Sequence, residues 1–266
     1  MSESVGVAVC VKWVAPTPDA DERFAGISAA DQAALEWALR WAEVTGDRVT
    51  VVCAGPPAAD AALRDAVAAG ATRAVRVDVP EGLDSARVAA ALRGPLAGAR
   101  MVWCGDYSLD RGTGSVPAYL AAHLGMAQAL GLVQVSFDAH GALEVLRRLD
   151  GGRRERLRID TPAVLSVEGG TARLRRAPLR ATIAASSAEV TVVPGPAVVE
   201  VVPPALRPFR PRARVLPAPA GQSALERIRS LTAVGATTSH GETVEAEPAE
   251  AAERILASLR EWGYLT

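Results

Sequence analysis

The chain has 266 residues, 49% of them hydrophobic and 22% charged. That is enough to bury a sizeable core in one large or two small domains, and too apolar a composition for disorder as the main state. Its 29 basic and 30 acidic residues nearly cancel, which excludes the overall positive field that draws proteins to nucleic acid or an anionic membrane. The three cysteines, Cys10, Cys53 and Cys104, cannot build a disulfide framework and none stands in a CxxC pair, so a cytoplasmic, reducing setting is expected. Neither a secretory leader nor a membrane span is expected. The N-terminus has no basic region followed by an apolar core, and the greasiest late stretch, Val190 to Leu206, is broken by Pro194, Gly195, Pro196 and Glu200.

Val5 to Trp13 is a β-branched run ending at a proline-rich turn, Ala15 to Pro18, and predicts a buried strand. Ser28 then offers an N-cap with Asp31 three positions on, and Ala34, Leu35, Ala38, Leu39 and Ala42 recur at helical spacing up to Gly46. The unit repeats: strand over Arg48 to Ala54, helix over Ala58 to Ala69 stopping at Gly70, strand over Arg73 to Val79, helix over Ser85 to Leu96. Arg100 to Cys104 is a fourth strand and Val116 to Leu124 a fourth helix ending at Gly125. Successive β-α units of this kind predict an α/β fold, a Rossmann-like parallel sheet flanked by helices on both faces.

From Val133 the period changes. Val133 to Phe137 alternates, His140-Gly141 turns, and Leu143 to Leu149 returns. Asp150-Gly151-Gly152 then closes a hairpin whose second strand runs through Arg156 to Ile159, so an added β-hairpin region is expected. Arg147, Arg148, Arg153, Arg154, Arg156 and Arg158 make it basic; a solvated face is favoured over a docking surface. Pro162 to Ser166 returns to the sheet, and Arg173 to Arg180 is a basic segment leading to a short helix or loop. After Val190 to Val193, residues 194 to 221 are rich in proline and lack periodicity, as an extended arm would be. Pro248, Ala251, Ala252, Ile255, Leu256 and Leu259 mark a final amphipathic helix closed by Gly263. The expected division is therefore a nucleotide-binding domain over 1–193 and an arm with a C-terminal helix over 194–266.

In open sheets of this type ligands sit beyond the carboxyl ends of the strands. The three cysteines fall at or near such ends and invite a shared crevice, although small buried hydrophobes are the favoured reading over a metal site. Lys12 is the sole lysine of the chain, which hints that an ammonium is wanted there. In the loop after the fourth strand, Gly112 and Gly114 let backbone approach an anion, while Thr113 and Ser115 add hydroxyls ahead of a helix N-terminus. A phosphate would be held there with little positive side-chain charge, and Asp110 reads as a turn former or a ribose or backbone acceptor. The loop is neither a Walker motif nor GxGxxG. The three histidines are widely separated and suggest no catalytic triad, and Trp13, Trp37, Trp41 and Trp103 read as core rather than as flavin stackers.

Four segments resemble the β subunit of electron transfer flavoproteins. Val11-Lys12 resembles the pair that closes the family's first strand. Ser28 to Arg40, SAADQAALEWALR, is similar to its second motif, with Ser28 and Ala29 where asparagine and proline are usual. Gly105 to Val116, GDYSLDRGTGSV, resembles the loop that holds a nucleotide's phosphates, and Val145 to Leu157 with Pro162-Ala-Val-Leu is similar to the family's hairpin signature, departing at Ser166. The sequence further resembles an actinobacterial branch that accompanies the mycofactocin redox system.

The resemblance implies a heterodimer in which an α subunit holds most of a redox-active FAD, while this chain carries a second adenine nucleotide, AMP or a second FAD. It implies cofactor-binding roles for Cys10, Lys12, Ser28, Asp31, Ala54, Gly105, Asp110, Gly112, Thr113, Gly114, Ser115 and Val116, and an electron carrier rather than an enzyme. A donor dehydrogenase is expected near Arg173, Arg176, Ala177 and Arg180, where Ala177-Pro178 stands in place of the family's leucine before proline. Two other readings stay open: an ATP-binding stress-protein-like or adenylating module, which the first half alone would suit, and a nucleotide-free scaffold for an α partner.

Overall fold

The computed structural model describes residues 6–15, 25–196, 221–233 and 245–265. The proline turn at residues 16–18 and most of the proline-rich stretch expected after 194 lie outside them. The chain divides into two compact units, Met1–Glu200 and Val201–Thr266.

In the first unit, β1 (Val7–Cys10), β2 (Val49–Gly55), β3 (Arg73–Asp78) and β4 (Met101–Gly105) alternate with α1 (Ala29–Thr45), α2 (Asp60–Ala69), α3 (Ser85–Leu92) and α4 (Val116–Leu124). Then follow β5 (Ala127–Phe137), β6 (Leu143–Arg148), β7 (Arg154–Ile159), β8 (Ala163–Val167), α5 (Leu179–Ser186) and β9 (Val190–Pro194). All nine strands form one sheet, in the order β7-β6-β5-β8-β4-β1-β2-β3-β9. The ladders from β5 through β8, β4, β1, β2 and β3 to β9 are parallel; those joining β5, β6 and β7 are antiparallel. The fold is thus the Rossmann-like α/β sheet expected, with the hairpin added at one edge.

Alternate residues of the central strands feed two cores, one on each face. Val7, Val9, Val51, Trp103 and Leu165 pack with Leu35, Leu39 and Leu63 of α1 and α2. Ala8, Cys10, Val52, Val102 and Cys104 pack with Leu92 and Leu120 of α3 and α4. Trp41 and Trp103 are wholly buried, and Trp13 and Trp37 lean on the core, as core packing required.

Local chemistry sets the ends of the elements. Ser28 caps α1 by accepting the Asp31 N–H at 3.0 Å, and the N–H of Gly46 closes it on Ala42 O at 2.8 Å. The helix expected over Ser85 to Leu96 stops at Leu92; Pro95, three residues on, has no N–H to donate to the Ala91 carbonyl. The strand expected from Val133 starts at Ala127: a bulge around Gly131 breaks the alternation. Gly131 has φ +66, and its freed N–H donates to Ser166 Oγ at 3.0 Å. The residue that departs from the hairpin signature therefore satisfies the bulge.

Half of the hairpin's six arginines are ion-paired within it or against a neighbour: Arg147 with Glu155 at 2.5 Å, Arg148 with Glu168 at 2.7 Å and Arg156 with Glu144 at 3.2 Å. Within Arg173 to Arg180, Arg175 turns inward. Its guanidinium meets Glu36 at 3.0 Å and Glu43, and its backbone N–H also donates to Glu36. Glu36 is a buried carboxylate of α1, held below the usual range because Arg175 and Arg40 outweigh its desolvation. Arg175→Ala is expected to destabilise the chain by about 2 kcal/mol, the worth of charged hydrogen bonds to a buried carboxylate. Urea denaturation checks this, and an unchanged midpoint contradicts it.

The second unit holds α6 (Ala224–Ala233) and α7 (Pro248–Glu261). The latter begins on Pro248 as expected, with Gly263 in positive φ beyond it. The sequence reading missed α6, although Ser223 and Glu226 form a capping box in which each side chain accepts the other's N–H. Among the described residues no helix is long and apolar enough to cross a membrane.

Candidate functional site

A cleft enclosing about 100 Å³ and partly open to solvent lies at the carboxyl ends of β1 and β4, on the face covered by α3 and α4. This is where the chain crosses from one side of β1 to the other, the switch point of the sheet.

The floor consists of Cys10, Lys12 and Asp31 with Ala54 and Gly105. Asp31 occupies the first turn of α1 and is buried. Its carboxyl accepts the Lys12 N–H at 3.1 Å, so this side chain ties the end of β1 to the start of α1. Burial pushes it up to about 7, against the opposing pull of Lys12, Ser28 and Gly105. Gly105 is packed directly on it: a Cβ there would lie 2.6 Å from Asp31 Oδ1.

Thr113, Gly114, Ser115 and Val116 form one wall. Gly114 has φ +59, and a Cβ on it would lie 2.3 Å from the Asp106 carbonyl oxygen. The loop therefore folds back on itself at a point only glycine can occupy. Thr113 Oγ1 lies 3.2 Å from both Ser115 Oγ and Ser85 Oγ, making a chain of three hydroxyls. Ser115 places no side-chain cap on α4, so the first-turn N–H groups keep their capacity to receive an anion. Opposite stand Leu83, Val88 and Leu92, an apolar wall from the segment after β3.

Nine of the twelve residues singled out in the sequence line this cleft. The other three support it. Ser28 is buried as the cap of α1, and its hydroxyl donates to Tyr107 O at 3.2 Å. Gly112 sits in the loop at φ +60. Asp110 pairs with Lys12 Nζ at 2.5 Å, a partnership the sequence did not announce. Burial opposes its ionisation, yet Lys12, the Ser108 hydroxyl and the Arg111 N–H hold Asp110 well below the usual carboxylate range.

The thiols do not share one crevice as expected. Cys10 and Cys104 are register partners on β1 and β4 and both line the cleft. Cys53 follows Val52, the partner of Cys10, so it points to the opposite face. There burial pushes its thiol up to about 12. Among the described residues no three His, Cys, Asp or Glu side chains are grouped to hold a metal ion. Sequence reasoning also missed Leu83, Ser85 and Val88, which reach the cleft from a distance, and Arg111, which stands within the loop itself.

Residues 20–198 match a family model described as the electron transfer flavoprotein domain. The chain is 33% identical over 171 residues to the electron transfer flavoprotein subunit beta of Methylophilus methylotrophus, covering 61% of this chain and 65% of that one. It is 35% identical over 150 residues to the subunit of the same description from Mycobacterium tuberculosis, covering 54% and 56%. To that of Chromohalobacter salexigens it is 30% identical over 210 residues, covering 76% and 75%. The chain thus spans less than two thirds of the length of the first two relatives.

Proposed function

Because the chain belongs to the electron transfer flavoprotein family, we propose that it serves as the β subunit of a heterodimeric electron carrier and holds an adenine nucleotide in the cleft at β1 and β4. The observation that carries the nucleotide is the Gly114 fold-back: the loop brings three hydroxyls and an uncapped helix N-terminus to one side of a pocket whose other side is apolar. A phosphate fits the first side, and an adenine ring fits the wall of Leu83, Val88 and Leu92. AMP is the nucleotide proposed, ahead of a second FAD.

The redox-active FAD, held chiefly by an α subunit, supplies the electron chemistry, while this chain contributes binding, orientation and electrostatics. The donor dehydrogenase is proposed to dock beside α5, where Arg173, Arg176, Ala177 and Arg180 precede or begin a helix with Leu179 and Ile183 exposed. Arginines there accelerate encounter with an acidic donor surface. The proposed setting is cytoplasmic.

Co-expression with a neighbouring flavoprotein-like chain, purification, denaturation and chromatography of the released nucleotides tests the proposal. FAD with AMP in equal amounts is expected. Release of neither flavin nor adenylate overturns it; two FAD per heterodimer moves the nucleotide assignment to the second flavin.

A further inference from the structure

Charge at the cleft is distributed unevenly. Of its two lining cations, Lys12 is spoken for by Asp110. Arg111 has no carboxylate partner among the described residues; Nη1 donates to Leu83 O at 3.0 Å and Nη2 to Gly82 O at 2.8 Å. Those two carbonyls belong to the turn that leads into α3, so the guanidinium joins the phosphate-type loop to the far wall. Two of its five N–H groups are used, which leaves three donors and an uncompensated charge at the cleft it lines. A guanidinium anchored on neutral carbonyls keeps its full charge while losing the freedom that ligand binding would otherwise have to remove.

We propose that Arg111 is the phosphate-binding cation of this site and restricts its ligands to phosphorylated adenosine. This rests on the adenylate reading of the cleft and departs from the expectation that the phosphate would be held with little positive side-chain charge. Arg111 and the Thr113, Ser115 and Ser85 hydroxyls approach the ligand from the same loop and the adjoining turn. A charge-assisted contact of this kind separates a nucleotide from its nucleoside, because adenosine presents nothing for the guanidinium to meet.

The test is equilibrium binding of adenosine and of AMP to the full chain, dialysed free of nucleotide, as wild type, Arg111→Gln and Arg111→Lys. Arg111→Gln is expected to weaken AMP by roughly tenfold to a hundredfold while leaving adenosine within about twofold. Arg111→Lys recovers part of the loss, since an ammonium restores charge without the fork, and the AMP preference of the wild type falls as salt is raised. Equal weakening of both ligands makes Arg111 a strap rather than a phosphate contact and overturns the proposal, as does unchanged AMP binding in Arg111→Gln; in both cases the adenylate reading survives. Failure of the wild type to bind either compound brings down that reading and this proposal together.

Discussion

Replacing Gly114 with valine is expected to strip the chain of its nucleotide. Residue 114 sits at φ +59 with an ideal Cβ position 2.3 Å from the carbonyl oxygen of Asp106. A left-handed conformation costs an L residue about 1–2 kcal/mol, but the collision is the larger obstacle. The obstructing atom is backbone and cannot rotate away, so the loop between β4 and α4 has to open. Its opening separates Thr113 and Ser115 from Ser85 and turns the first N–H groups of α4 off the cleft. The loss in adenylate affinity is expected to be on the order of a hundredfold or more. Gly112 is the internal control: its φ is +60, yet a Cβ there meets only Ser108 O, at 3.8 Å. Gly112→Ala thus carries the conformational cost alone and should retain most of the nucleotide. Chromatography of nucleotide released from each purified variant reads the result, and full occupancy in Gly114→Val contradicts the proposed site.

The sequence made this loop visible because its chemistry is contiguous: glycines, hydroxyls and a helix start within twelve residues. The same holds for the first helix, where Ser28 and Gly46 announce both ends. What it hid is what the sheet assembles from afar. Lys12 and Asp110 are 98 positions apart, and Leu83, Ser85 and Val88 reach the cleft only because α3 packs on the same face as α4. Arg111 lay in plain view inside the loop, but its anchors, the carbonyls of Gly82 and Leu83, carry no side-chain signature. The misplacement of Cys53 has a related cause. Strand composition placed three thiols near strand ends, whereas the face each occupies depends on register to the residue, and Cys53 is one step beyond the partner of Cys10. The early start of β5 was masked by the bulge at Gly131, which converts a period of two into an irregular run.

Asp31 links the buried chemistry of the floor to solution pH. Burial raises its carboxyl to about 7, whereas the unfolded chain ionises near the ordinary aspartate value of about 3.9. Below about pH 4 both states hold the proton and Asp31 contributes nothing to the pH dependence of folding. Between about 4 and 7 only the unfolded chain releases it, so stability declines with each rise in pH; above about 7 both states are ionised and the decline ends. The span corresponds to about 4 kcal/mol at most. Asp110, held low by Lys12, acts in the opposite sense, since its contribution is present above the ordinary aspartate value and disappears on acidification. Subtracting the profile of Asp31→Asn isolates the first effect from the second. The amide has no charge to desolvate, so the wild type is expected to lose stability relative to that variant as pH rises from 4 to 7, in urea melts at closely spaced pH. The same interval should alter the cleft, because ionised Asp31 places a negative charge on the floor beneath the phosphate and weakens AMP binding as it forms. A stability difference that stays flat across this range means that the pull of Lys12, Ser28 and Gly105 fully compensates the buried carboxylate, and the floor is then a permanent anion rather than a titrating one.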